Sequence, residues 1–253
     1  MGRRYKFDGI TVTDDTKKAV ERRVLQETPH FDRFKTNFSD IDRVTGGFPY
    51  GLTIAYGSSG SGKSAFCKKI ASEHFSLYIC AESLIDAPVA PGCLSMDYTK
   101  FLPFWEKAIN ELFVAITEYE PDIVFIDSLT TFLSGTKKAV TEADIREGVY
   151  TIAKLCLGII PIVGISEVRF SGGIEYCAGG RAVDHAAVLL INFNKKHINA
   201  PWDASRYGRN IGEWIYTVHI DKDKQGIALQ NKDFEIKYKG ESIIISELTK
   251  TME

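Results

Sequence analysis

The stretch "YGSSGSGKSAF" (residues 56–66) decides how the rest of the chain is read. It carries G-x-x-x-x-G-K-[ST], with Gly57, Gly62, Lys63 and Ser64 at the fixed positions. Glycines in such a turn let successive backbone N–H groups converge on phosphate oxygens, and the helix that follows adds its positive N-terminal end. Upstream, "LTIAYG" reads as a buried strand; downstream, "SAFCKKIASEHF" reads as a helix. A chance Gly/Ser-rich turn has no reason to sit between those two elements. The loop Gly57, Ser58, Ser59, Gly60, Ser61, Gly62, Lys63, Ser64 and Ala65 is therefore expected to hold a nucleotide. Lys63 would reach its β- and γ-phosphates and Ser64 a Mg2+ ion.

Outward from the loop, strands and helices alternate. "SLYICAE", "DIVFIDS", "IIPIVGIS" and "AAVLLINF" are apolar runs with almost no polar interior. Runs of that kind imply strands covered on both faces, hence a largely parallel sheet joined by crossover helices. A helix is expected near Thr141, with Ile145, Val149, Ile152 and Cys156 on one face. From residue 213 the pattern alternates with period two and contains a Lys239-Gly240 turn, which reads as antiparallel strands added at the sheet edge. The division expected is an N-terminal arm over 1–30, a short hairpin around Asp8-Gly9 and a charged helix over 14–27, followed by one core over 31–253. The fold class is α/β, a P-loop NTPase with a mostly parallel central sheet flanked by helices.

Two acids complete the chemistry. Asp127 closes the apolar run "IVFID", where a carboxylate can share Mg2+ with Ser64. Glu82 ends the run "YICAE", in a strand expected beside the loop strand, where it can take a proton from water in line with the γ-phosphate. Each acid also has a plainer reading, as a loop residue at a strand end. A guanine switch is disfavoured, because "DSLT" lacks the glycine of D-x-x-G and "NKDF" has the wrong spacing for N-K-x-D. No Arg-rich lid of the small-molecule kinase kind is visible.

Over residues 34–246 the chain resembles the RecA/RadA recombinase core, which KaiC-like proteins share. "FKTNFSDIDRVTGGFPYG" is similar to that family's opening segment, "YICAES" to its glutamate strand, and "IVFIDSLTTF" to its Mg2+ strand. "GISEVRF…AGGRAVDHAAVLLINF" resembles the sensor strand, second DNA loop and following strand, and "VHIDKDKQGIALQNKDFEIKY" a segment with a K-x-K pair. The resemblance implies a RecA-type fold and an ATPase with Glu82 catalytic. It also implies Lys222 and Lys224 reaching a neighbouring subunit's γ-phosphate. It implies a role in DNA recombination, repair or replication, as a RadA-like accessory paralogue. Its DNA loops would be Lys137 and Lys138, and the segment holding Arg169, Phe170 and Tyr176. Each of those residues has an equally plain reading as a solvated lysine or a packing aromatic. At the sensor position the family's Asn-Gln is Ser166-Glu167, which puts a negative charge beside phosphate. No F-x-x-A motif precedes residue 34. Two other readings stay open: an ATP- and DNA-binding module with little turnover, and a ring-forming motor or KaiC-like signalling ATPase.

The bulk numbers bound the partners only loosely. Formal net charge is −2, from 31 Lys+Arg against 33 Asp+Glu, so no global basic field advertises nucleic acid. The five cysteines never fall in C-x-x-C spacing, which fits free buried thiols. No apolar run reaches the length of a membrane span, and a cytoplasmic location is expected. Partners expected are single- or double-stranded DNA, copies of the chain in a filament or ring, or a main recombinase. The polar segment 195–210, with Lys195, Lys196, Arg206 and Arg209, reads as a solvated loop or as a contact to nucleic acid or a neighbour.

Overall fold

The computed structural model describes residues 4–7, 10–13, 33–82, 92–97, 105–134, 141–171, 174–178, 180–230, 232–240 and 242–248. The helix expected over 14–27, and Lys137 and Lys138, lie outside them. β1 (Arg4–Phe7) and β2 (Ile10–Thr13) form an antiparallel pair. A second small pair joins β3 (Arg33–Phe34) to β4 (Phe48–Pro49), with helix α1 (Ser39–Thr45) between them.

The main sheet contains β5 (Leu52–Gly57), β6 (Ser76–Cys80), β7 (Cys93–Asp97), β8 (Ile123–Asp127) and β9 (Ile162–Ser171). Farther along come β10 (Ile174–Cys177), β11 (Leu189–His197), β12 (Trp214–Asp223), β13 (Asp233–Lys239) and β14 (Ser242–Glu247). The order is β14-β13-β12-β11-β5-β9-β8-β6-β7, with β10 paired to β9 off that path. From β11 to β7 every pairing is parallel. From β11 to β14 every pairing is antiparallel, as the period-two pattern requires. Gly240, at φ 56°, closes the β13–β14 hairpin in the left-handed region that glycine enters without a Cβ clash.

Two apolar clusters fill the two faces of the sheet. One packs Ile54, Leu77, Val124 and Ile162 under α3 (Trp105–Tyr119), α4 (Leu129–Ser134) and α5 (Glu142–Cys156). The other packs Ala55, Tyr78, Phe125, Val163 and Phe193 under α1 and α2 (Lys63–Ser72). α5 begins where the periodicity places it. Thr141 accepts from the Asp144 N–H while the Asp144 carboxylate accepts from the Thr141 N–H, a reciprocal cap of about 1 kcal/mol. Ile145, Val149, Ile152 and Cys156 form its buried face.

Two expectations about arrangement are corrected here, and a third segment takes a definite shape. The strand leading to Glu82 does not neighbour β5, because β9 and β8 lie between β5 and β6. Chain order places β6 next in sequence, but parallel strands joined by crossovers need not be neighbours. The segment read as a DNA loop after Glu167 is an antiparallel hairpin, in which Arg169 lies opposite Tyr176 and Phe170 opposite Glu175. The polar segment 195–210 is no open loop. β11 runs on through His197 in ladder with β12, and α7 (Pro201–Tyr207) follows with Pro201 in its first turn.

Candidate functional site

The parallel strands all end on one side of the sheet, and the candidate side chains of the phosphate loop, β6, β8 and β9 lie there. Gly57 ends β5 at φ 150°, and a β-carbon on it would lie 1.9 Å from the Phe193 carbonyl oxygen of neighbouring β11. Only glycine fits. Gly62, at φ 97°, caps α2, and a β-carbon there would meet the Tyr238 hydroxyl at 2.8 Å. That hydroxyl donates to the Gly62 carbonyl at 2.8 Å, so the antiparallel edge holds the loop from the side.

Lys63 opens α2 and is nearly buried at 8% exposure. Its ammonium donates to the carbonyls of Gly57 and Ser58, each at 2.9 Å. Burial pushes its pKa down; Glu167, then Asp127, and more weakly Glu82 pull it back up. The three carboxylates lie near the same end of the sheet, as the strand register shows.

Gly57 lies opposite Glu167 and Tyr56 opposite Ser166 on β9. Asp127 lies opposite Ile165 on β9 and opposite Cys80 on β6. Two residues beyond Cys80 comes Glu82. Its carboxylate accepts from the Ser128 hydroxyl at 2.6 Å and from the Thr131 hydroxyl at 3.1 Å. Ser128 is the residue after Asp127, so the two acids are linked through adjacent residues of the chain. Asp127 accepts from the Tyr78 hydroxyl at 2.7 Å, and burial pushes the Tyr78 phenol pKa up. Glu82 is exposed. Ser166 is buried at 2% and donates to the Glu167 carbonyl at 3.2 Å.

The loop fits a phosphate and a hard divalent cation. Ser61 is fully buried, yet its hydroxyl has no hydrogen-bond partner among the described residues. An orphaned buried hydroxyl costs about 1–3 kcal/mol, a cost a phosphate oxygen beside it would remove. Ser64 in the first turn of α2 and Asp127 at the end of β8 offer the hydroxyl and carboxylate oxygens that Mg2+ prefers.

Lys222 and Lys224 are elsewhere. Lys222 pairs with Leu190 on β11, level with Ile54 of β5. It is therefore about 10 Å down the sheet from Gly57 at ~3.3 Å per residue. Lys224 is farther still, its N–H donating to the Val188 carbonyl. Both ammoniums rest on the end of α6 (Arg181–Ala186): Lys222 donates to the Asp184 carbonyl and Lys224 to the His185 carbonyl. Neither reaches the phosphate loop of its own chain.

Sequence reading missed Ser128, Thr131, Tyr78 and Tyr238, none of which stands in a recognisable pattern. It also missed the place of Lys195. On β11 it shares parity with Ile191 and Phe193, which pack on the α2 face, so alternation alone aims it toward the loop.

No protein-family model matches the chain. No curated protein matches it either. Among solved structures the chain is similar to that of a KaiC-like protein from the hyperthermophilic archaeon Pyrococcus horikoshii OT3. The TM-score is 0.64 at 15% identity, covering 85% of this chain and 98% of that one. The likeness is one of fold: a mostly parallel RecA-type sheet with antiparallel strands at its C-terminal edge.

Proposed function

We propose that this chain is a Mg2+-dependent ATPase. The supporting observation is the meeting of Lys63, at the start of α2, with Asp127 at the end of β8 and with Glu82, two residues past β6, whose carboxylate accepts from Ser128, the neighbour of Asp127. The loop N–H groups and Lys63 bind the triphosphate and hold its charge in a partly dried site. Ser64 and Asp127 would hold Mg2+, which offsets negative charge on the phosphates when bound. Glu82, steered by Ser128 and Thr131, orients a water and takes its proton. Ser166 and Glu167 stand on the strand beside the loop, where they would sense the phosphate end.

Glu82→Gln keeps the shape and the hydroxyl contacts but removes the base. ATP binding is expected to stay within a few-fold of the parent while turnover falls by ~10²–10⁴-fold. Equilibrium binding of a fluorescent ATP analogue and steady-state phosphate release measure the two separately. Lys63→Ala is expected to lose binding itself. If Glu82→Gln turns over like the parent, Glu82 is not the base.

Two settings for the ATPase remain in competition. In the recombinase-like one, a RadA-like paralogue acts in DNA recombination, repair or replication. The β9–β10 hairpin bearing Arg169, Phe170 and Tyr176, with Lys137 and Lys138, then meets DNA. Stimulation of turnover by single- or double-stranded DNA tests it. The KaiC-like setting is favoured by the solved structure the chain resembles, and hexameric rings in solution without DNA would support it.

A further inference from the structure

The phosphate loop has a neighbour that the nucleotide-binding motif does not include. β11 lies beside β5 and runs past it, and at its end Lys195 leans back over the loop. A β-carbon placed on Gly60 would sit 2.8 Å from the Lys195 Nζ and 4.0 Å from its Cε, so the bare crest of the loop is what gives the ammonium room. On its other side the ammonium lies 5.5 Å from the centre of the Trp214 ring, at the start of β12. The His197 ring lies against the same indole, tilted at 35° with centroids 4.6 Å apart.

The next lysine makes an informative contrast. Lys196 points to the opposite face of the strand, donates to Asp203 at 2.5 Å and sits over the rings of Trp202 and Tyr207. Its charge is matched by a carboxylate and ties α7 down. The Lys195 charge is set instead against a π-face and a row of loop backbone.

We propose that Lys195 is a second phosphate-contacting cation of the nucleotide site, supplied by the same chain and held in place by Trp214. The inference rests on the nucleotide reading of the loop. An ammonium balanced on an aromatic face is held by a weaker contact than an ion pair, so it can shift toward an arriving phosphate without breaking a salt bridge. Nucleotide occupancy would then be felt at Trp214, and through it at the base of the 195–213 segment.

The test uses the full chain carrying Trp202→Phe, so that Trp214 is the exposed tryptophan, and a non-hydrolysable ATP analogue with Mg2+. Trp214 emission is expected to change on titration. Lys195→Ala should abolish that change and weaken binding on the order of tenfold to hundredfold. Lys195→Arg should restore most of the affinity, and Lys196→Ala should lower thermal stability without weakening binding. A Lys195→Ala protein that binds within twofold of its parent, measured by calorimetry, overturns the proposal while leaving the ATPase reading intact. A parent that binds no nucleotide overturns both.

Discussion

The two ends of the central sheet are built on opposite principles. At the loop end, the backbone is crowded against Phe193 and Tyr238, the Ser61 hydroxyl is left without a partner among the described residues, and Glu167 and Asp127 stand on the neighbouring strands β9 and β8. At the other end, Lys222-Asp223-Lys224 is locked by a saturated polar knot. Arg33 and Asp223 form an ion pair with side chains 1% and 0% exposed. Asp223 also accepts from the N–H groups of Gln225 at 3.0 Å, Ile227 at 2.8 Å and Ala228 at 2.7 Å. One end is poised for a ligand; the other is finished. Alternation along β12 turns Asp223 inward and leaves its two lysine neighbours on the opposite face, against α6. The middle residue of the K-x-K pair is thus the one that fixes where the lysines stand.

If the far end serves a neighbouring molecule's loop, the largest effect belongs to Lys222. Burial, with Lys224 close by, pushes its pKa down. Lys222→Ala is expected to cost ~10³-fold or more in turnover under conditions where the chain assembles. Nucleotide affinity of the dilute protein should be unchanged, since the lysine is remote from its own loop. Turnover equal to the parent at every protein concentration would confine Lys222 to a structural role on α6.

Asp223 sharpens the same contrast through stability. Asp223→Ala strands the buried Arg33 guanidinium and is expected to destabilise the fold by about 3–5 kcal/mol, read as a shift in denaturant midpoint. Burial alone would raise the Asp223 pKa; the Ala228 and Gln225 N–H groups and the Arg33 guanidinium outweigh it, and the net direction is down. A depressed folded-state pKa means the stabilisation is present above the unfolded value of about 3.9 and is lost as pH falls through the lower folded value. Asp223→Asn should therefore flatten the acid limb of the stability profile below about pH 4. A mutant with the parent's acid limb would show that another group carries it.

How much of this was legible beforehand follows the same divide. The loop, its strand and its helix were readable because glycine positions and apolar runs are local signals. So was α5, because a 3.6-residue period is local too. Strand order was not. That β9 lies between Gly57 and Asp127 depends on how crossovers pack, and Glu82 reaches the site across two strands that sequence order does not interpose. β7, with "CLSMD", has no continuous apolar run to announce it. The extension of β11 through Asn194, Lys195, Lys196 and His197 was hidden because a ladder to β12, rather than an apolar run, holds it. The Arg33–Asp223 knot joins residues at opposite ends of the chain, which no local pattern marks.

The smallest effect tests whether the two ends are as separate as they look. Tyr238 stands on the antiparallel edge, the same side of the sheet that carries Lys222, yet its hydroxyl supports the loop at Gly62. Burial pushes its phenol pKa up, so it remains a donor throughout the working pH range. Tyr238→Phe removes one donor and nothing else, with an expected cost of about 0.5–1.5 kcal/mol in chemical denaturation. If the hydrogen bond preorganises the loop, nucleotide affinity should fall by a comparable few-fold, because a looser loop must be ordered on binding. If stability drops while affinity holds, the loop's shape is set by its glycines against Phe193, and the antiparallel edge contributes to the fold alone.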